Sequence, residues 1–160
     1  MSDFDTFDLR LFLPYLLNQA AEQSSLSFQD FYKERYGMLR TEWRVMFHLG
    51  IFGAMTARDI GMRSNIHKTK ISRAVQKLTN KRFISRRRNT DDLRQESLQL
   101  TASGRAAYVK LRKKAEQYQT DLSAEFSAEE FALLQNMLKR LIAPSGQLLP
   151  PVLLPDSGPL

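Results

Sequence analysis

The sequence predicts a mostly α-helical fold carrying one small antiparallel β-hairpin, in the order of a winged helix-turn-helix. Three observations carry this. Apolar residues recur every three or four positions through most of the chain. Two short segments read instead as strands, residues 83–88 and 97–101, on either side of turn formers at 89–92. A short helix and a charged amphipathic helix directly precede that hairpin.

Residues 9–36 read as helix, because Leu9, Phe12, Leu13, Leu16, Leu17, Ala20 and Ala21 form one apolar stripe, with Pro14 tolerated in the first turn or at a kink. A second helix is expected from Thr41 as N-cap, through Trp43, Val45, Met46, Phe47 and Leu49, to a turn at Gly50. Thr56 opens a short third helix with Ala57, Ile60 and Met62 facing inward. The fourth covers 67–81: Ile71, Ala74, Val75 and Leu78 share one face, and Lys68, Lys70, Arg73 and Lys77 the other. In the second strand, Leu98 and Leu100 alternate with Ser97 and Gln99. Thr101 caps a long helix to about residue 125, whose Tyr108, Leu111, Ala115, Tyr118 and Leu122 make a heptad-like seam suited to another helix, of this chain or of a second copy. Ser127 and Glu130 form a capping-box pattern opening the last helix, with Phe131, Leu134, Leu138 and Leu141 as its inner stripe, closed by Pro144. The tail beyond holds four of the six prolines beside six Leu/Val residues, so it reads as an apolar arm or a remnant outside the fold.

At 160 residues there is room for one domain with its own core, or for a small domain whose helices complete a core in a dimer. The 42% apolar fraction argues against wholesale disorder. No run approaches the ~20 apolar residues of a membrane span. Asp3, Asp5 and Asp8 stand where a secretory leader needs basic residues, so a cytoplasmic protein with no membrane partner is expected. A chain without cysteine has no disulfide, no thiolate metal site and no thiol-based sensing. The two histidines, His48 and His67, lie on different predicted elements, so no metal site is expected; with neither a nucleotide loop nor a triad, no cofactor and no enzyme activity are expected either.

The formal charge of +7 gains meaning from where it sits. Between Arg58 and Arg94 there are 12 Lys/Arg and 3 Asp/Glu, a net of +9 in 37 residues, while the remaining 12 basic and 14 acidic residues leave −2. A solvated basic face serving solubility has no need of such concentration; a surface that binds a polyanion does, since each neutralised phosphate releases counterions. In a helix-turn-helix the second helix of the motif presents its first turns to the major groove, and the hairpin reaches backbone or minor groove. His67, Lys68, Thr69, Lys70, Ser72, Arg73 and Lys77 are therefore the candidate DNA contacts on the charged helix, and Arg86, Arg87 and Arg88 on the hairpin.

Several stretches resemble the MarR family, the multiple-antibiotic-resistance-type bacterial regulators. "LRTEWRVMFHLG" (39–50) looks like that family's second helix, "KISRAVQKL" (70–78) like its recognition helix, and "DLRQESLQLTASG" (92–104) like its wing signature, an Asp-x-Arg pair leading into Leu-Thr-x-x-Gly. The resemblance covers roughly residues 9–142. It implies a homodimer bound to a palindromic operator, Arg94 as the wing-tip arginine entering the minor groove with Asp92 as its partner, and regulation by a ligand. It also implies a dimerisation region from the first helix and the last two, here Leu9, Phe12, Leu13, Leu122, Phe126, Leu134, Leu138 and Leu141. One departure is Arg82, at a position where the family often has glycine; Asn80 is the residue expected to take the left-handed conformation instead.

The reading that follows is a winged helix-turn-helix domain plus a helical dimerisation region: an N-terminal helix in 1–36, the DNA-binding domain in 37–101, dimerisation helices in 102–143 and the proline-rich tail in 144–160. Its partners are double-stranded DNA, a second copy of the chain and a small aromatic or carboxylate effector. Tyr15, Tyr36, Trp43, Arg44, Phe47 and His48 are the residues that could line an effector pocket, against the simpler reading of core and surface residues. The function expected is a sequence-specific, ligand-responsive repressor. The rivals are a non-specific architectural DNA-binding protein and an adaptor with an incidental basic face.

Overall fold

The computed structural model describes residues 7–88 and 96–142. A 3-10 turn, Leu9–Leu11, precedes helices α1 (Leu13–Tyr36) and α2 (Arg40–Phe52), a two-residue strand β1 (Met55–Thr56), helices α3 (Ala57–Ser64) and α4 (Lys68–Asn80), strands β2 (Ile84–Arg88) and β3 (Glu96–Leu100), and helices α5 (Ala102–Ser123) and α6 (Ala128–Ile142). The chain divides into two compact units, Met1–Gln117 and Tyr118–Leu160, and α5 contributes to both.

In the first unit α4 packs on α2 and α3, and all three cover a sheet ordered β1-β3-β2 with both pairings antiparallel. Ile71, Ala74, Val75 and Leu78 are buried on one face of α4, as their spacing predicts, and meet a core that includes Val45, Met46, Leu49, Ile60, Ile84, Leu98 and Leu111. Each of the larger side chains, Ile71, Val75 and Leu78, contributes about 1.5–3 kcal/mol of burial, which fixes the opposite face of α4 outward. β1 is too short to show an alternation in sequence. It pairs Met55 with Leu98 and Thr56 with Ser97, so the hairpin is one side of a three-stranded sheet.

Several boundaries differ from the sequence reading. α2 starts at Arg40 with Leu39 as an N-cap that offers no side-chain hydrogen bond, so Thr41 lies inside the helix. Two 3.0 Å hydrogen bonds from Arg40 to Glu22 on α1, and the burial of Met38 after the left-handed Gly37, set that start instead of a hydroxyl cap. The same Arg40 guanidinium holds the Glu22 carboxyl below its ordinary range. Gly50 does not turn the chain: it sits within α2 against the Tyr108 ring, and Gly53, at φ +77°, ends the helix. Met62 points outward, 65% exposed. Asn80 is the last helical residue of α4, and Arg82 itself adopts the left-handed region at φ +59°. Its carbonyl accepts hydrogen bonds from the hydroxyls of Thr101 (2.7 Å) and Ser103 (2.9 Å), which hold the conformation in place of a glycine.

α1 buries its second half, through Phe28 and Tyr32, rather than the stripe that begins at Leu9. Tyr108 and Leu111, the first two members of the α5 seam, are buried inside this unit, so that part of the seam packs within the chain. Thr101 opens α5 as expected, its hydroxyl accepting from the Gly104 N–H at 3.0 Å.

In the second unit the capping box forms at both ends of its pair: the Glu130 N–H donates to Ser127 Oγ at 3.1 Å and the Ser127 N–H to Glu130 Oε2 at 2.8 Å. Phe126 and Phe131 lie 6.2 Å apart across that helix start. α6 has no buried residue. Phe131 and Leu138 of its inner stripe are half-buried, whereas Leu134 and Leu141 are exposed, together with Leu133, Met137 and Ile142. The tail, 144–160, lies outside the described residues.

Candidate nucleic-acid interface

The exposed side of α4 divides into three strips by the 100° advance per residue. Thr69, Ser72, Arg73 and Gln76 form the outward strip, all exposed. Lys70 and Lys77 flank it toward α2, where with Leu39, Thr41 and Glu42 they border a groove of about 210 Å³. Lys68 flanks it on the α3 side with Ser72, in a groove of about 500 Å³ that also includes Arg58, Met62 and Ile66. His67 is the N-cap: its Nδ1 accepts from the Thr69 N–H at 3.3 Å, so the helix begins where the sequence placed it. All seven predicted residues of this helix therefore lie on or beside one exposed face.

Beneath that face is a buried carboxylate. Glu42 of α2 is 1% exposed, its Oε1 stands 3.5 Å from Lys77 Nζ, and its Oε2 has no hydrogen-bond partner. Lys77 is half exposed, so it joins the interior of the domain to the surface strip.

The three arginines of β2 do not act as one patch. Strand alternation sends Arg86 and Arg88 to one face and Arg87 to the other, where it pairs in register with Ser97. Arg86 spans back to α4, donating to Gln76 Oε1 at 3.2 Å and to Glu96 Oε2 at 3.3 Å. Gln76 in turn donates to Asn80 Oδ1 at 3.0 Å. Gln76 was missed in the sequence because charge guided the selection, although its place three residues after Arg73 puts it on the same strip. Asp92 and Arg94, the predicted wing-tip pair, lie outside the described residues.

The six candidate effector-pocket residues do not converge. Tyr15 and Tyr36 are 21 positions apart on α1, about 32 Å along a helix axis. Trp43 and Phe47 belong to a packed aromatic row, with ring centres 5.4 Å from Phe28 to Trp43, 5.1 Å from Trp43 to Phe47 and 5.4 Å from Phe47 to Tyr108. Tyr36 packs edge to face on Phe83 at 5.9 Å, and His48 Nδ1 lies 2.7 Å from the Arg44 carbonyl. Ring packing accounts for Trp43, Phe47 and Tyr36, and none of the described grooves is lined by these six residues together. Of the predicted dimer residues, Leu9, Phe12, Leu13, Phe126, Leu134 and Leu141 are 38–56% exposed, and Leu122 and Leu138 are half-buried. Among the described residues no group of His, Asp or Glu could hold a metal ion, and no helix is long and apolar enough to cross a membrane.

Comparison with known proteins agrees with this geometry. The sequence model of the MarR family matches residues 36–95, from the end of α1 to the residue before β3. The homoprotocatechuate degradative operon repressor of Escherichia coli is 24% identical over 131 residues, covering 82% of this chain and 88% of its own. A MarR/EmrR family transcriptional regulator from Acinetobacter superposes with a TM-score of 0.77 at 25% identity, over 85% of this chain and 96% of that one. BpsR of Bordetella bronchiseptica, whose DNA binding is regulated by 6-hydroxynicotinic acid, superposes at 0.79 with 17% identity, over 87% and 99%. A basic helix set outward by its apolar face, a three-stranded sheet behind it and the family match from the end of α1 to the start of β3 make residues 36–95 of this chain similar to the DNA-binding part of MarR-family transcriptional regulators.

Proposed function

We propose that the protein is a homodimeric repressor that binds a palindromic operator and releases it when a small molecule binds. The outward strip of α4, with Thr69, Ser72, Arg73 and Gln76 between flanking lysines, is the observation that carries the reading. Such side chains offer hydrogen bonds to base edges while the lysines meet phosphates. Arg87 and Arg88 extend the phosphate contacts, and Arg94, positioned by Asp92, enters the minor groove. The dimer is supported by the apolar side chains that each unit by itself leaves exposed, Leu9, Phe12 and Leu13 in the first and Leu134 and Leu141 in the second. Two copies would set their α4 helices in successive major grooves, ~34 Å apart.

Repression and ligand response rest on the relatives: one is an operon repressor, and another has its DNA binding regulated by an aromatic acid. An effector acts by binding the DNA-incompetent geometry more tightly, and shifts the population only by that difference in affinity. The site of action is the cytoplasm.

Selection of binding sites from random duplexes, followed by affinity measurement across a salt series, tests the reading. Enrichment of a palindrome with a steep fall in affinity as salt rises is expected. Tight binding with no enriched sequence would assign the protein to architectural DNA binding, and affinity indifferent to salt would end the DNA reading.

A further inference from the structure

The Gln76 carboxamide is held at both of its polar atoms. Its Oε1 accepts from Arg86 Nη2 at 3.2 Å, and its Nε2 donates to Asn80 Oδ1 at 3.0 Å. Arg86 is itself held from the wing, where its Nη1 donates to Glu96 Oε2 at 3.3 Å across the β2–β3 pairing. A guanidinium only donates, so the amide atom that faces Arg86 has to be the oxygen. The nitrogen is thereby turned to Asn80, one helical turn further along α4, whose side-chain oxygen has to accept. Turned over, the amide would set its N–H groups against the guanidinium.

A glutamine side chain has two N–H donors and two acceptor lone pairs. The contacts with Arg86 and Asn80 use one of each, and among the described residues nothing takes the second donor or the second lone pair. Both belong to one exposed planar group, on the strip of α4 that carries Thr69, Ser72 and Arg73. Gln76 therefore presents one donor beside one acceptor, in an orientation that Arg86 fixes. Of the four bases, adenine alone offers the complement in the major groove, its N6 amine to the oxygen and its N7 to the N–H. Guanine offers two acceptors, thymine one acceptor beside a methyl group, and cytosine one donor. A glutamine free to rotate can still give its N–H groups to guanine; one held from the wing cannot.

We infer that Gln76 selects adenine at one base pair of each half-site, and that Arg86 is a positioning residue that fixes the amide for this base by reaching across from β2. The inference rests on the base-reading role of α4 proposed above. It adds the base, the residue that reads it and the wing residue that makes the reading strict.

The test uses the full chain and the duplex it selects from random DNA. The base pair whose preference is lost on Gln76→Ala is expected to be A·T. Replacing its adenine by 7-deazaadenine, which lacks N7, or by purine, which lacks the N6 amine, should each weaken wild-type binding about fivefold. Gln76→Ala should bind the three duplexes equally, which separates lost contacts from any effect of the analogues on the duplex itself. Gln76→Glu, which can only accept, should shift the preference toward cytosine. Arg86→Met frees the amide to turn and should broaden adenine to either purine, and Arg86→Lys, which keeps a donor, should narrow it again. The inference is overturned by a G·C pair, or no pair, responding to Gln76→Ala, or by wild-type binding indifferent to both analogues. An Arg86→Met variant that lowers the salt slope and keeps the adenine preference makes Arg86 a phosphate contact and overturns its positioning role. Any of these beside an enriched palindrome removes this inference and leaves the regulator reading standing; with no sequence enriched, that reading falls and takes this one with it.

Discussion

Lys77 on the recognition helix stands 3.5 Å from Glu42, a carboxylate that is 1% exposed on α2 and has one oxygen without a hydrogen bond. The pair ties α4 to the element beneath it and holds the Lys77 charge in part from within. Lys77→Met leaves the buried carboxylate with no cation, at an expected cost of about 1–2 kcal/mol, reduced because Lys77 is half exposed. Glu42→Gln should be close to neutral, and the double variant should recover most of the loss. Glu42→Gln should also tighten DNA binding at low salt and steepen its salt dependence by up to about one counterion, since Lys77 is no longer shared. Urea denaturation and a salt series of binding curves measure both; strictly additive stabilities would mean that the two residues are independent.

Arg82 carries a side chain in the left-handed region at φ +59°, where a glycine meets no steric penalty. Arg82→Gly should stabilise the chain by about 0.5–1 kcal/mol, after the greater freedom that glycine gives the unfolded state is set against the relief of strain. Its hydrogen-bonding carbonyl is backbone and stays in place. A thermal melt that falls on this substitution would show that the Arg82 side chain contributes more than its conformation costs.

Local patterns were legible in the sequence, and contacts between distant residues were not. The burial of α4 was legible because four apolar residues at helical spacing allow one inward face, and the capping box at Ser127 and Glu130 because both partners are local. The start of α2 was not, since the Arg40–Glu22 contact that sets it joins residues 18 apart. Gly50 reads as a stop in one dimension, and only Tyr108, far along the chain, makes it an interior contact. In the candidate interface the lysines and arginines announced themselves by charge. The Arg86–Gln76–Asn80 series did not, because it needs the distance from wing to helix. The aromatic residues named for an effector pocket pack on different neighbours, Trp43 on Phe28 and Tyr36 on Phe83, because aromatic composition does not distinguish a lined cavity from a filled one.

Arg73 and Gln76 sit on the same strip of α4, and different losses are expected from each. Arg73→Ala removes a donor fork able to pair with guanine, so binding should weaken by about 1–3 kcal/mol and base preference relax at one position of each half-site. Gln76→Ala also releases Arg86, which it holds at 3.2 Å. Arg86 then keeps only its contact with Glu96 at 3.3 Å and is less tied to α4, so that variant should lose discrimination with a smaller loss of overall affinity. Site selection repeated with each variant separates the two, and identical profiles for both and for the wild type would remove this strip from base recognition.

Gly50 and Tyr108 supply a test of the fold itself. Within α2 an alanine is intrinsically better than glycine by about 1 kcal/mol, so propensity alone predicts that Gly50→Ala stabilises the protein. The structure predicts the reverse, because a Cβ at this position would enter the Tyr108 ring, which is 8% exposed and packs against Phe47 on its other contact. Overpacking of this kind costs about 1–3 kcal/mol. The net expectation is destabilisation by about 1–2 kcal/mol, combining the two effects. In a Tyr108→Leu background the ring is gone and the propensity gain should reappear, so Gly50→Ala should there be neutral or stabilising. The sign change between backgrounds is the observable, read from denaturation midpoints of the four proteins in the cycle. The same sign in both would place Tyr108 elsewhere than on α2.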